Sequence, residues 1–540
     1  MPARKCLIRE GMQQEILSGG IHPKGEAISP SNPGSPAWPV DTPGGRYYAE
    51  VDYDTPATRE GQLIFFAQFL HAGARWDQFV NSCPLRYAGN RGSKIVDVVG
   101  TAALSVLCGH WRYAHINSVR GDMVNPPLLG MTSTVSEDVV RRAMKRINAD
   151  EGGKWLGDHL RACVEPVLSV PWVMDIDCTV KPIYGHQEGA EIGFNSRKPG
   201  RPSHSFHSYF MANTRLCLGV EVLGGKKHAA QHALPGLWSL LDALPRTHWP
   251  SMLRGDCGYG NELLLRQAEE RGLPCLFKLR YTKKVKTLVA QMQRSGAKWR
   301  ETNDGWEVME TTLKLTGWSR ERRVVLVREA PAVAPVPLNG RRRRDRMGAE
   351  LPGIAESDIA PAPWAGKIAV LVTTLDPIAY PAVALARLYR ERADAENIYD
   401  ELKNQWGWGG FTTKDLAPCG LMANLVALIY NWWHLYVRLY DGEHHREAIT
   451  SRPALLGGVG RLVRHSGQQT IKVSLQHEKS DLITQAISAV SKSLQKMTTI
   501  AEQWSDQQRW HLLLTHIFRR WLGGRWLGDL PPQASAVLSG

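Results

Sequence analysis

The chain is 540 residues long, 43% apolar and 22% charged, with 66 Lys and Arg against 52 Asp and Glu, a formal net charge of +14. That much apolar chain builds a sizeable core and excludes a disulfide-stapled scaffold or a disordered tail. The positive excess points to a polyanionic partner, nucleic acid first, without separating an enzyme acting on DNA from a protein that coats it. Nine cysteines stand in no C-x-x-C pair. Reduced thiols of a cytoplasmic protein are therefore expected, not a zinc site or a disulfide framework. Met1 to Leu17 has no apolar stretch of the kind a secretory signal needs. The most membrane-like segment, Gly420 to Tyr436, is broken by Asn424, Asn431 and His434, so a buried helix and no membrane partner are expected.

In chain order, residues 1–60 read as an arm or linker, crowded with Pro, Gly and Ser between Gly19 and Gly45. Residues 61–168 show helical patterns. Ser133 to Glu137 looks like a helix entry, followed by Val139, Val140, Met144 and Ile147 with Arg141, Arg142, Lys145 and Arg146 interleaved. That pattern suits a helix-turn-helix unit and equally a solvated basic face. Over residues 169–283, strand-like runs at 173–180, 208–212, 216–223, 251–255 and 274–279 alternate with helical stretches at 229–244 and 261–272. This is the texture of a mixed α/β sheet. Residues 284–366 lose the helix signals and read as a β-rich insertion carrying the basic loop Arg341, Arg342, Arg343 and Arg344. Within 367–440, a strand at 368–373 precedes a long helix opened by Pro381 and stopped at Gly407. Residues 441–540 read as helical and basic.

Three places carry chemistry. On a continuous helix, Tyr389, Arg392, Glu396 and Lys403 share a stripe about 60° wide. Such a stripe is too costly to bury unpaired, so it faces either water or a polar site. Arg392 and Glu396 also form an ordinary i, i+4 surface pair, and Asp400 lies close by on the same wheel. The strand at 173–180 places Asp175, Asp177 and Thr179 on one face. Aspartate is rare in strands, and either a metal ion or a paired arginine accounts for it. Asp256 ends an apolar strand before a Gly258 turn and a capped helix, where α/β sheets place their ligands; a turn-forming role is the alternative. Two strand carboxylates and one helix carboxylate suit two Mg²⁺ ions about 4 Å apart, the arrangement used in phosphodiester displacement.

Tyr389-x-x-Arg392-x-x-x-Glu396-x-x-x-x-x-x-Lys403 resembles the Tyr-Arg-Glu-Lys signature of bacterial insertion-sequence DDE transposases. Asp177-x-Thr179 and Gly255-Asp256-x-Gly258 resemble the segments around the first and second catalytic aspartates of that group. The blocks from Gly109 to His115, Gly185 to Ala190 and Gly193 to Ser203 add to the resemblance, which covers roughly residues 62 to 440. It implies an RNase H-like α/β core with a β-strand insertion, flanked by mostly helical N- and C-terminal regions. It also implies Asp177, Asp256 and Glu396 as catalytic metal ligands for Mg²⁺, with Mn²⁺ able to substitute. Tyr389, Arg392, Lys403 and Arg280 become DNA-backbone contacts, and Arg341 to Arg344 further DNA contacts. Trp306 and Trp318 become candidates for base stacking, against ordinary packing in the β core. The implied activity is cut-and-paste transposition by a bacterial cytoplasmic homodimer on transposon ends and target DNA, with residues 61–168 binding the ends and residues 441–540 dimerising or touching DNA. The alternatives are an RNase H-like nuclease or resolvase that cuts without joining, and a transposase-derived DNA-binding repressor.

Overall fold

The computed structural model describes residues 38–330 and 368–528, apart from residues 50, 51, 53, 90, 91, 196, 197, 228, 297, 303, 443, 476 and 501–503. The basic run Arg341–Arg344 lies outside the described residues. The described residues open with an exposed hairpin, β1 (Trp38–Thr42) and β2 (Gly45–Ala49), and a two-residue strand β3 (Ala57–Thr58). Part of the segment read as a plain linker is therefore paired. The N-terminal helical region follows as α1 (Leu63–Ala72), α2 (Arg75–Asn81), α3 (Ile95–Leu107), α4 (Glu137–Arg146) and α5 (Ala149–Val164). Ser136 caps α4 by accepting from the Val139 N–H, and Val140, Ala143 and Met144 form its buried side. The basic residues stay outward. The helix-turn-helix expectation is not met, because the helix before α4, Asn125–Leu128, is a single turn.

At the centre lies a ten-stranded mixed sheet. Its core strands are β4 (Val173–Pro182), β5 (Glu191–Ile192), β6 (Pro202–Met211), β7 (Leu216–Gly224), β8 (Met252–Gly255) and β9 (Cys275–Lys278). Between them run α6 (Leu234–Asp242) and α7 (Glu262–Glu270), the latter capped by Asn261 and followed by Gly272 at φ +61°. β4 pairs antiparallel with β6 and parallel with β8, β6 pairs antiparallel with β7, and β8 pairs parallel with β9. Omitting short β5, the strands stand in the order third, second, first, fourth, fifth, the RNase H-like arrangement expected.

Three features depart from expectation. β6 begins six residues before the expected strand, because Ser203, His204, Ser205 and His207 are buried polar residues in the middle of the sheet. The stretch from 284 opens with a helix, α8 (Lys283–Arg294). The strands β10 (Arg300–Glu301), β11 (Trp306–Leu313) and β12 (Arg322–Glu329) then join the central sheet instead of forming a separate unit. Their connection is β13 (Ala369–Thr373), hydrogen-bonded between β12 and β9.

The expected long helix after Pro381 is two helices, α9 (Ala382–Arg390) and α10 (Ala393–Gln405). The cause is local. In a continuous helix the Arg392 N–H would bond to the Leu388 carbonyl. That carbonyl instead accepts from the Arg254 guanidinium, and the Arg392 N–H turns to the Tyr389 carbonyl at 3.1 Å.

Next comes α11 (Leu416–Tyr440), long and apolar enough to cross a membrane by composition, with 78% of its most apolar window buried inside the protein. Its polar residues have specific partners. Asn431 accepts from the Cys217 N–H at 2.8 Å and donates to the Cys217 carbonyl at 2.7 Å, and Asn424 bonds Val220 in the same way at 3.2 and 2.8 Å. β7 is the last strand on its side, so these amides close an otherwise open sheet edge. The remainder comprises α12 (Ala448–Leu455), a hairpin of β14 (Val459–His465) and β15 (Gln468–Ser474), α13 (Ser480–Ile500) and α14 (Asp506–Ile517). The hairpin corrects the all-helical expectation, and β14 pairs with β3 to join the segment before α1 to the one after α12. Trp504 and Trp510 sit in the main core. The eight cysteines among the described residues are all free thiols.

α10 is tied to α11 and α12 by Glu401, which is 1% exposed. Its carboxylate accepts from His434 Nε2 at 3.2 Å, His445 Nε2 at 2.9 Å, Trp406 Nε1 at 3.2 Å and the Ala448 N–H at 3.0 Å. Burial works to raise the Glu401 carboxyl, but the two imidazoles outweigh it and hold it below the usual range. Burial brings His434 down to about 4. Below pH 6.5 the unfolded chain therefore takes up a proton on His434 that the folded chain refuses until near pH 4, so stability falls as pH drops through that window. His434→Gln should make this decline shallower, by at most about 1.4 kcal/mol per pH unit. Denaturant titrations at pH 6.5, 5.5 and 4.5 check it, and parallel curves for the two proteins would contradict it.

Candidate active site

The period of β4 points Asp175, Asp177, Thr179 and Lys181 to one side, and the neighbouring strand decides what each can do. Asp175 is bound bidentately by Arg254 on β8, at 2.6 and 2.8 Å, with both side chains 3% exposed. Both of its oxygens are turned to the guanidinium, and Asp175 does not line the cavity that Asp177 faces. Asp177, two residues on, opens into a cavity of about 780 Å³ that Asp256, Thr179, Lys181, Lys198, Arg280 and Lys403 also line.

Asp256 reaches that cavity because β8 ends one residue earlier, at Gly255. A Cβ at Gly255 would stand 3.1 Å from Ile176 and 3.2 Å from Phe277, so a side chain there would require the two flanking strands to give by a few tenths of an ångström. The Asp256 carboxylate accepts from the Gly258 N–H at 2.7 Å, which fixes its direction. Asp177 accepts from its neighbour's Cys178 N–H at 2.7 Å and from Arg392 Nη2 at 2.7 Å. Burial pushes the Asp177 carboxyl up to about 7; Arg392 works against this shift and the charge of Asp256 adds to it. Burial also lowers the Lys181 amine to about 8. The cavity thus holds two acids that repel each other within a rim of four cationic side chains. All of its acidic donors are oxygens. Such a set fits a hard divalent cation, whose charge would relieve the repulsion.

Residues 168–432, the segment that contains β4, β8 and the Tyr389–Lys403 helix pair, match the family model of the transposase DDE domain. The chain carries a transposase DDE domain, the catalytic unit of a DNA transposase. No curated protein matches the chain. Among solved structures it is similar to the cryo-EM structure of a piggyBac transposase synaptic complex with hairpin DNA. That likeness has 10% identity and a TM-score of 0.33 over 83% of this chain and 84% of the other, and no residue is carried across from it.

Within the DDE domain the expected residues are placed unequally. Asp177, Asp256, Arg280 and Lys403 share the cavity. Lys403 donates to Thr179, and Arg280 donates to the Cys257 carbonyl at 3.2 Å. Arg392, 7% exposed, lies at the break between α9 and α10 and turns inward to Asp177. Tyr389 is close enough to feel the charges of Arg392, Asp256 and Asp177, and burial pushes its hydroxyl up to about 12. Glu396 does not line the cavity. Its side chain is 76% exposed and its carboxylate stands 3.8 Å from the other Arg392 nitrogen, so one guanidinium spans Asp177 and Glu396. Asp400 is also exposed, bonded to Asn404 at 2.7 Å.

The two tryptophans fall differently from the stacking expectation. Trp318 is 6% exposed in the core with the Arg322 guanidinium 5.0 Å from its ring centre, which corrects its candidacy for stacking. Trp306 is partly buried, and Arg390 covers its ring at 4.5 Å. Residues the sequence reading passed over also line the cavity: Lys181, Phe194, Asn195 and Lys198. The period that placed Thr179 beside Asp177 continues to Lys181, a signal that was present. The other three sit on the connection between β4 and β6, inside the block Gly193 to Ser203 that adds to the resemblance but carried no stated role.

A second group of ligand-type side chains, Glu401, His434 and His445, has its atoms within 4.8 Å of one another. The two imidazole rings stack, parallel within 5°, and each directs its Nε2 at the Glu401 carboxylate. With Trp406 and the Ala448 N–H they give that carboxylate four donors, and in this state the group is a hydrogen-bonded anchor for α10.

Asp175 and Asp177 should therefore separate by experiment. Asp175→Asn should cost about 3 kcal/mol or more of stability, the usual loss when one partner of a buried ion pair is removed. Asp177→Asn should cost clearly less. Urea unfolding of the two variants beside the unaltered protein checks this, and equal losses would refute the division of roles.

Proposed function

We propose that the protein is the DDE transposase of an insertion sequence: it binds the terminal inverted repeats of its element, cleaves there with Mg²⁺ or Mn²⁺, and transfers the 3′-ends to target DNA. One observation carries this reading. Asp177 and Asp256 stand together in a basic cavity inside the segment that matches a transposase DDE domain. Cut-and-paste movement through a hairpin, and a homodimer that pairs two ends, complete the proposal.

In this reading Asp177 and Asp256 hold the divalent cations and Glu396 is the third acid. Its exposure leaves the rotamer change that would turn it inward unopposed by packing. Bound cations supply a lowered pKa for the attacking water and charge for the leaving oxygen. The chain's own residues do the rest. Arg392 holds the Asp177 carboxylate in one direction through its 2.7 Å bond. Lys403, Arg280 and Lys181 present positive charge to the phosphates on either side of the broken bond, contacts that orient DNA without reading sequence. Tyr389, kept as a neutral phenol by burial, is a hydrogen-bond donor beside Asp256.

Asp177→Asn, Asp256→Asn and Glu396→Gln should each lower cleavage of an inverted-repeat end at least about a thousandfold in Mg²⁺, while binding of that end changes little, since the phosphate contacts remain. Gel assays of cleavage and of binding on the same labelled end check both halves. Full cleavage by any one variant removes that residue from the site. Pre-cut ends mixed with target plasmid separate a transposase from a nuclease, because only the former yields joined products. End affinity should also fall steeply with salt, with a log–log slope near −0.9 for each phosphate contact; a flat response would mean that the positive charge serves another purpose.

A further inference from the structure

The hairpin of β14 and β15 lies away from the cavity, and packing accounts for its foot but not for the rest of it. At the foot, β14 pairs with β3 through Gly460 and Arg461, and the Leu462 N–H bonds the Pro56 carbonyl at 2.9 Å. Gly460 and Gly61 bring two backbones so close that a Cβ on either would stand within 2.7 Å of the other's main chain. Beyond Leu462 the two strands go on pairing with each other, from Val463 with Thr470 to His465 with Gln468. They close in the two-residue loop Ser466 and Gly467, at φ +49° and +77°, the kind of turn whose twist suits paired strands. The result is a stiff ribbon on a fixed foot, with residues 464–470 all exposed.

Its two faces differ. The period of two puts Leu462 and Ile471, both half-buried, on one face. On the other, Arg461 stands opposite Lys472 and His465 opposite Gln468, with Thr470 and half-buried Val463 between them. Like charges directly opposite each other weaken a strand pair, so Arg461 and Lys472 do not serve the fold. Asp52 is close enough for its charge to act with that of Arg461, but the sequence holds no acidic residue between Glu447 and Glu478. A face of two cations, an imidazole, an amide and a hydroxyl around one valine is a poor seat for another protein, because interface cores exclude charge and favour large aromatic rings. It suits duplex DNA. The major groove admits a two-stranded ribbon; cations meet phosphates, while glutamine, histidine and threonine reach the donors and acceptors on base edges. In α4, by contrast, two of the basic residues are already engaged, Arg141 with Asp138 at 3.0 Å and Lys145 with Asp415 at 2.9 Å.

We propose that the β14–β15 ribbon lies in the major groove of the inverted repeat, where His465, Gln468 and Thr470 read base edges and Arg461 and Lys472 grip the flanking phosphates. This rests on the transposase reading above and assigns sequence recognition to a part of the chain whose role the resemblance left open between dimerisation and DNA contact.

The test uses the full-length protein and two labelled duplexes of equal length, an inverted-repeat end and the same bases in scrambled order. The unaltered protein should prefer the end. His465→Ala combined with Gln468→Ala should weaken binding of the end about tenfold or more and leave the scrambled duplex unchanged, because base-edge contacts are lost and phosphate contacts kept. Arg461→Gln combined with Lys472→Gln should weaken binding of both duplexes and make the log–log salt slope shallower by about 1.8, two phosphate contacts at about 0.9 each. All four side chains are exposed, and an unchanged melting temperature confirms the fold. Equal weakening of both duplexes by the first variant, or an unaltered salt slope in the second, overturns the ribbon alone. So does a changed oligomeric state with DNA binding intact, which would make this face a contact between two copies. An unaltered protein that binds the end no better than the scrambled duplex overturns the functional reading as well.

Discussion

Two carboxylates on one face of one buried strand, Asp175 and Asp177, set the terms for the rest of the molecule. Neither can be charged in such a place without a cation beside it. Each has its own arginine: Arg254 from the adjacent strand and Arg392 from the helix above. Arg254 also takes the Leu388 carbonyl, which ends α9 early. That interruption lets Arg392 leave the helix ladder and reach down to Asp177. The sheet and the helix pair are thus joined through charge compensation, and the geometry of the cavity follows from it.

The same arrangement explains which of the two acids is free for chemistry. Asp175 spends both oxygens on Arg254. Asp177 keeps a face open to the cavity, and burial together with Asp256 raises its pKa toward neutrality. An acid left in that condition is under-compensated by the protein alone. A divalent cation would complete what Arg392 only begins, which is a physical reason for this pocket to collect metal and the phosphates that accompany it.

Much of this was legible in the sequence where a periodicity or a spacing carried it. Alternation along residues 173–180 placed Asp177 and Thr179 together, an apolar strand followed by Gly258 placed Asp256 at a strand end, and Pro381 marked a helix start. What the sequence could not show were effects of contacts distant along the chain. Arg254 interrupts a helix 134 residues later, so a stripe drawn on one continuous wheel mixes residues of two helices. β6 hides behind Ser203, His204, Ser205 and His207, whose burial depends on strands on both sides. The β11 and β12 strands were visible, but not that they would extend the core sheet, since pairing partners leave no mark on local pattern. The block Gly193 to Ser203 stood out in the sequence, but that Phe194 within it lines the cavity emerged only from the fold.

The uninterrupted ladder from β11 through β13 to β4 has a mechanical consequence. A separate module hinged on flexible linkers could swing toward a duplex and then away. Strands bonded edge to edge in one sheet cannot do so without breaking backbone hydrogen bonds. β11 and β12 are therefore held in fixed register with the carboxylates. Any adjustment of the site must then come from parts outside that ladder: the bend at residues 391–392 and the exposed side chain of Glu396.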